Sequence, residues 1–123
     1  MDTPIIPELT LSEKQRLFPT LLAKLLLFIY DQGFECTLGE AYRTPEQAVL
    51  DAQKGIGITH SEHCKRLAID LMLFKDGVYL TTSEAYRPVG EYWKTLDSAC
   101  RWGGDFSSLS DGDHFSMIDQ GVA

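Results

Sequence analysis

The stretch Ser61-Glu62-His63-Cys64-Lys65-Arg66-Leu67-Ala68-Ile69-Asp70 constrains this chain more than any other. From Leu67 onward the side chains alternate with the period of a β-strand: Leu67, Ile69, Leu71 and Leu73 share one face, and Arg66, Ala68, Asp70 and Met72 share the other. The first face is core. Aspartate is disfavoured inside a strand and adds nothing to packing, so Asp70 on the second face calls for a reason beyond folding. His63 and Asp70 are both zinc-ligand types placed at the two ends of a strand entrance, and small Ala68 leaves room beside Asp70 for an ion.

A metal site needs a third ligand, and the chain has 3 histidines, His60, His63 and His114. In Ser110-Asp111-Gly112-Asp113-His114-Phe115-Ser116-Met117, the alternation turns Phe115 and Met117 toward a core and His114 and Ser116 the opposite way. Two histidines and one carboxylate around Zn²⁺ leave a fourth position for water, as in a catalytic site rather than a closed structural one. Asp111 precedes His114 by three residues across a glycine-containing turn, where it could reach that water as general base. Taken singly, these residues have plainer roles: His63 a capping histidine, Asp70 a partner for Arg66 or Arg43, and Asp111 and Asp113 turn formers. The argument rests on the ordered set. His60 is expected at the solvent edge or behind the ligands, and Cys64, although next to His63, is expected to stay off the metal.

Length and charge narrow the class. A chain of 123 residues with 44% hydrophobic residues has the apolar content for one core, and residues 1–123 are expected to form a single domain. The formal net charge of -7 argues against a nucleic-acid partner and against adhesion to anionic lipid. The 3 cysteines, Cys36, Cys64 and Cys100, have no paired spacing and are expected to be reduced thiols. The first ten residues have neither a basic n-region nor an apolar h-region, so no signal peptide is expected. The densest apolar run, Leu25 to Tyr30, is far short of the roughly 20 residues of a membrane span, so no stable membrane insertion is expected.

Along the chain, Ser12 and Gln15 suggest a capping box for a helix running to about Gln32, with Pro19 as a kink or restart and Gly33 as its end. Phe34 to Tyr42 is expected as a strand, with Gly39 at a bulge or close backbone approach. Thr44-Pro45-Glu46-Gln47 starts a second helix ending near Gln53, and Lys54 to His60 forms a loop able to line a cleft. Lys75-Asp76-Gly77-Val78 signals a hairpin. A third helix carries Tyr86, Val89, Trp93, Leu96 and Cys100 on one face, stopped by Gly103-Gly104, and His114 to Met117 is the last strand. The pattern is α+β, with helices packed on one face of a small, mainly antiparallel sheet.

Ser61-x-His63, Ala68-x-Asp70 and Asp111-x-x-His114-Phe115 together resemble the zinc peptidases of the peptidoglycan stem peptide, the D-alanyl-D-alanine carboxypeptidases and phage L-alanyl-D-glutamate endopeptidases. Glu40-Ala41-Tyr42-Arg43-Thr44 is similar to that family's Tyr-Arg-Thr segment, and Trp102-Gly103-Gly104-Asp105 to its Trp-Gly-Gly-Asp segment, both in the expected order. One departure is Arg66, where many members carry glycine. The resemblance implies the hedgehog/D,D-peptidase fold and one Zn²⁺ held by His63, Asp70 and His114. It also implies Asp111 as base, Arg43 as a catalytic and substrate-carboxylate residue, and Ser61 and Tyr42 as substrate contacts. The implied substrate is the stem peptide and the implied protein a monomer. In the phage branch it is an endolysin that collects in the bacterial cytoplasm and reaches the cell wall through a separate pore. A D,D-carboxypeptidase and a non-catalytic zinc-binding interaction module are the alternatives.

Overall fold

The computed structural model describes residues 8–55, 61–107 and 110–123. Helix α1 (Leu11–Asp31) starts at a capping box made by Thr10 and Glu13, two residues ahead of the expected Ser12 and Gln15. Thr10 Oγ1 accepts from Glu13 N–H, and Glu13 Oε1 accepts from Thr10 N–H. Pro19 sits inside the helix without restarting it. The helix closes in a Schellman motif: Phe34 N–H donates to Ile29 O and Gly33 N–H to Tyr30 O.

Strand β1 (Glu35–Leu38) is shorter than the expected Phe34–Tyr42 run. Past its end, Gly39 N–H donates to Asp70 O at 2.7 Å, and a Cβ at Gly39 would stand 3.0 Å from that oxygen. This is the close backbone approach that the glycine signals. Helix α2 (Pro45–Gln53) is capped by Thr44, whose hydroxyl accepts from Gln47 N–H. The Gln47 side chain bonds forward to Asp51 at 2.7 Å and does not complete a capping box.

Strand β2 (Ala68–Lys75) is the sheet's central strand. It pairs with β1, with β3 (Val78–Tyr79) across the Asp76-Gly77 turn, and through Ala68–Asp70 with β5 (His114–Met117). The sheet order is β1-β2-β5-β4, where β4 is Cys100–Trp102, with every pairing antiparallel. Leu67, Ile69, Leu71 and Leu73 are all buried, as the alternation requires.

Helix α3 (Arg87–Leu96) follows a 3₁₀ turn capped by Thr82 and ends before Cys100. Cys100 belongs instead to strand β4 (Cys100–Trp102), which pairs with β5. Asp97 breaks the helix: its backbone is extended, and its Oδ1 accepts from Ala99 N–H at 2.9 Å. Gly103-Gly104 therefore follows a strand, as part of a 3₁₀ turn.

The core lies between the sheet and α1 and α3. Trp93 anchors it, edge-on to Phe18 and Phe115, with its indole N–H shared between Arg101 O and Ser116 O at 3.0 Å each. A buried ionic cluster ties the chain's two ends to the turn before β2. Lys14 is 2% exposed and reaches Asp119 at 3.1 Å, while Lys65 reaches the other Asp119 oxygen at 3.0 Å. Gln15 donates to Lys65 O at 2.7 Å, fixing α1 to the same turn. No helix among the described residues is long and apolar enough to cross a membrane.

Candidate metal centre

His63 lies on a 3₁₀ turn (Glu62–Lys65) rather than on the strand itself. Ser61, expected to touch substrate, is buried, and its hydroxyl accepts from His63 N–H at 3.2 Å. Arg66 ends the turn in the left-handed region, and Leu67 then enters the core. Asp70 and His114 are directly opposed in the β2–β5 ladder, so the sheet register brings together two residues 44 positions apart in sequence by their numbering.

The three side chains converge. Asp70 Oδ1 lies 3.3 Å from His63 Nε2 and 3.8 Å from His114 Nδ1, and one ligand atom from each residue falls within 4.8 Å of the others. Donors about 2 Å from a tetrahedral ion stand roughly 3.3 Å apart, so this spacing suits Zn²⁺ with little rearrangement. Asp70 Oδ1 is buried without a hydrogen-bond partner among the described residues, a cost that a bound cation removes. Burial first, then the adjacent His63, hold His114 below the usual 6.5, which favours the neutral imidazole a metal requires. Its Nε2 faces Ala123 O at 3.3 Å, leaving Nδ1 for the ion. The donor set fits zinc.

Asp111 and Asp113 complete the far side, each offering an oxygen within 4.8 Å of the other and of Asp70. Asp111 is exposed, as a proton acceptor for water should be. Asp113 is not the solvated turn residue its sequence context suggests: it is half-buried, and burial, then the Asp111 side chain, push its carboxyl up to about 7. The Trp102-Gly103-Gly104 segment places this turn. Asp111 N–H donates to Gly103 O at 2.9 Å, Trp102 Nε1–H donates to Gly112 O at 2.7 Å, and a Cβ on Gly103 would lie 2.0 Å from Asp111 O. Phe106 packs its ring against His114, with centroids 5.3 Å apart.

On the near side, Arg43 is largely covered, with Nη2 2.6 Å from Glu40 Oε1 and Nε 3.9 Å from Asp51. Tyr42 is exposed beneath the Arg66 guanidinium. Cys64 turns its thiol toward Thr44 O, 4.0 Å away. His60 and most of the loop before Ser61 lie outside the described residues. Glu40 escaped the sequence reading, because a lone glutamate beside Tyr42-Arg43 carries no spacing signal; only the pairing of its carbonyl with Asp70 N–H, at 3.0 Å, brings it to the site.

A family model described as D-alanyl-D-alanine carboxypeptidase matches residues 55–117. No curated protein matches the chain significantly. Among solved structures, the chain is similar to the L-Ala D-Glu endopeptidase ChiX of Serratia marcescens, with 20% identity, a TM-score of 0.65, and 87% of this chain and 85% of that one covered. It is also similar to the vancomycin-resistance D,D-pentapeptidase VanY of a VanB-type cassette, solved in complex with Zn(II), with 18% identity, a TM-score of 0.57, and 84% and 71% covered. The α+β fold of three helices on an antiparallel sheet is the one these structures share. The match spans the segment carrying all three ligand-type residues and the Asp111 turn, so this chain belongs to the D-alanyl-D-alanine carboxypeptidase family and is a zinc-dependent peptidoglycan peptidase.

Proposed function

We propose that the protein is an L-alanyl-D-glutamate endopeptidase of the stem peptide, acting as a phage or prophage endolysin. The observation that carries the chemistry is the orphaned Asp70 Oδ1 between two inward-facing imidazole nitrogens, with the Asp111 carboxylate alongside. Zinc bound by His63, Asp70 and His114 supplies Lewis acidity at the scissile carbonyl and acidifies water toward a pKa of about 7. Asp111 takes the proton of the attacking water and delivers it to the leaving amine. Asp113, whose carboxyl is pushed up by burial and by the Asp111 side chain, stands beside Asp111 on the same turn. Glu40 takes Arg43 Nη2 and Asp51 approaches Nε, so among the described residues the Nη1 donors are left for a substrate carboxylate or the developing oxyanion. Tyr42 lines the cleft edge.

The endopeptidase assignment is supported by the higher TM-score and fuller mutual coverage with ChiX than with VanY. The description of the matching family favours a second reading, a D,D-carboxypeptidase built on the same site. The monomeric state, the lytic role and the route from bacterial cytoplasm to cell wall rest on the family resemblance. Metal analysis with a hydrolysis assay tests the core of the proposal: His63→Ala and Asp70→Ala each lose both zinc and activity, whereas a full zinc equivalent retained by both variants overturns the ligand assignment.

A further inference from the structure

Glu40 touches both halves of the site with a single oxygen. Its Oε1 lies 2.6 Å from Arg43 Nη2 and 3.6 Å from His63 Nδ1. The backbone holds it there, because Gly39 N–H donates to Asp70 O and Asp70 N–H donates to Glu40 O, so the strand that carries one zinc ligand keeps Glu40 level with it. Arg43 N–H in turn donates to His63 O at 3.2 Å. The His63 ring presents Nε2 to Asp70, which leaves Nδ1 directed at Glu40. Both Nδ1 and Glu40 Oε1 are buried, and among the described residues neither makes an aligned hydrogen bond. A neutral imidazole that gives its Nε2 lone pair to a metal carries its proton on Nδ1, and a buried N–H needs an acceptor. The 3.6 Å gap is just outside hydrogen-bond reach and closes with a ring or carboxylate shift of roughly half an ångström.

We propose that Glu40 is a positioning residue: its carboxylate accepts the Nδ1 proton of His63, fixing tautomer and ring plane for zinc, while anchoring Arg43 at a set distance from the metal. This rests on His63 being a zinc ligand. His63 then takes its orientation from a side-chain carboxylate, which raises the basicity of a ligating imidazole. Asp51 supplies the control, because it approaches Arg43 and has no ion pair with His63 among the described residues.

The test is zinc affinity by competition with a chromophoric chelator, measured on the wild type, Glu40→Ala, Glu40→Gln and Asp51→Asn, with thermal unfolding of each apo-protein. Loss of an orienting partner typically weakens metal binding 10- to 100-fold, and Glu40→Ala is expected in that range. Glu40→Gln, whose amide oxygen can still accept, falls between it and the wild type, and Asp51→Asn stays within about twofold of the wild type. Glu40→Gln decides the matter if Glu40→Ala fails to fold. Wild-type zinc affinity in a folded Glu40→Gln and Glu40→Ala, or in Glu40→Gln alone where Glu40→Ala is unfolded, overturns the role of Glu40 and leaves the zinc site standing. An equal loss in Asp51→Asn overturns it too, by tracing the effect to Arg43, and a wild type that takes up no zinc overturns both readings.

Discussion

Arg66 lays its guanidinium over the ring of Tyr42, 4.0 Å from the centroid, while its own backbone sits in the left-handed region at φ 59° and ψ 34°. A non-glycine residue pays about 1 kcal/mol for that conformation. The cation–π contact returns about 0.5–1 kcal/mol, which explains how arginine is tolerated where glycine is commoner in the family. Arg66→Gly is therefore expected to change stability by less than about 1 kcal/mol, whereas Arg66→Ala keeps the backbone cost, loses the contact and is destabilised by about 1 kcal/mol. Chemical denaturation of the pair reads the difference, and equal losses would remove backbone strain as the cause.

Gly103 is packed against the backbone of the Asp111 turn too closely for any side chain. Gly103→Ala is expected to cost about 1–3 kcal/mol through overpacking. Because a displacement of about 1 Å in a catalytic group can cost on the order of 10² in rate, activity should fall more than stability does. Parallel melting and hydrolysis assays check this, and a stable, fully active variant would show that the turn is not held by this contact.

Asp111→Asn keeps shape but loses basicity, so it should retain zinc, melt near the wild type and lose on the order of 10² to 10⁴ in rate. Asp113→Asn imitates the protonated form that burial and Asp111 already favour, and should cost about tenfold or less. Steady-state rates of the two zinc-loaded variants compare them. A dead Asp113 variant beside an active Asp111 variant would exchange their roles.

The ionic cluster at Asp119 gives a stability prediction with a defined pH dependence. Burial alone would raise the Asp119 carboxyl, but hydrogen bonds from Lys65 and then Lys14 outweigh it and hold it below the ordinary 3.8. A depressed folded pKa means that this stabilisation is fully present above the unfolded value and is lost as pH falls through the folded one. Asp119→Ala, which leaves buried Lys14 with Glu8 and Ile118 O as its remaining partners, should lose about 1–3 kcal/mol at pH 7. The gap to the wild type should narrow below about pH 4. Urea unfolding at pH 7 and pH 3 measures both, and a gap that stays constant would assign the loss to packing alone.

The legible parts of the chain were those where one local rule settles the outcome. The alternation through Leu67–Leu73 and His114–Met117 places both core faces and, with them, Asp70 and His114. Cys100 was misleading because it stands four residues beyond Leu96, at helical spacing, and nothing periodic reveals that the Asp97 side chain has already turned the backbone. At the α1 start two caps compete, and Thr10 and Glu13 win by satisfying each other. Asp113 and Glu40 share a different cause: their roles depend on contacts across the ladder or on burial, and neither is written in the residues beside them.

The most direct test of the central claim is mass spectrometry of a stem peptide digested by the zinc-loaded protein, because it names the bond that is cut. The account predicts cleavage between L-alanine and D-glutamate, with Asp111→Asn producing the same fragments at a rate lower by on the order of 10² to 10⁴. Release of terminal D-alanine with the L-alanyl-D-glutamate bond intact would contradict the endopeptidase assignment, and an uncut peptide from zinc-replete protein would contradict catalysis at this site.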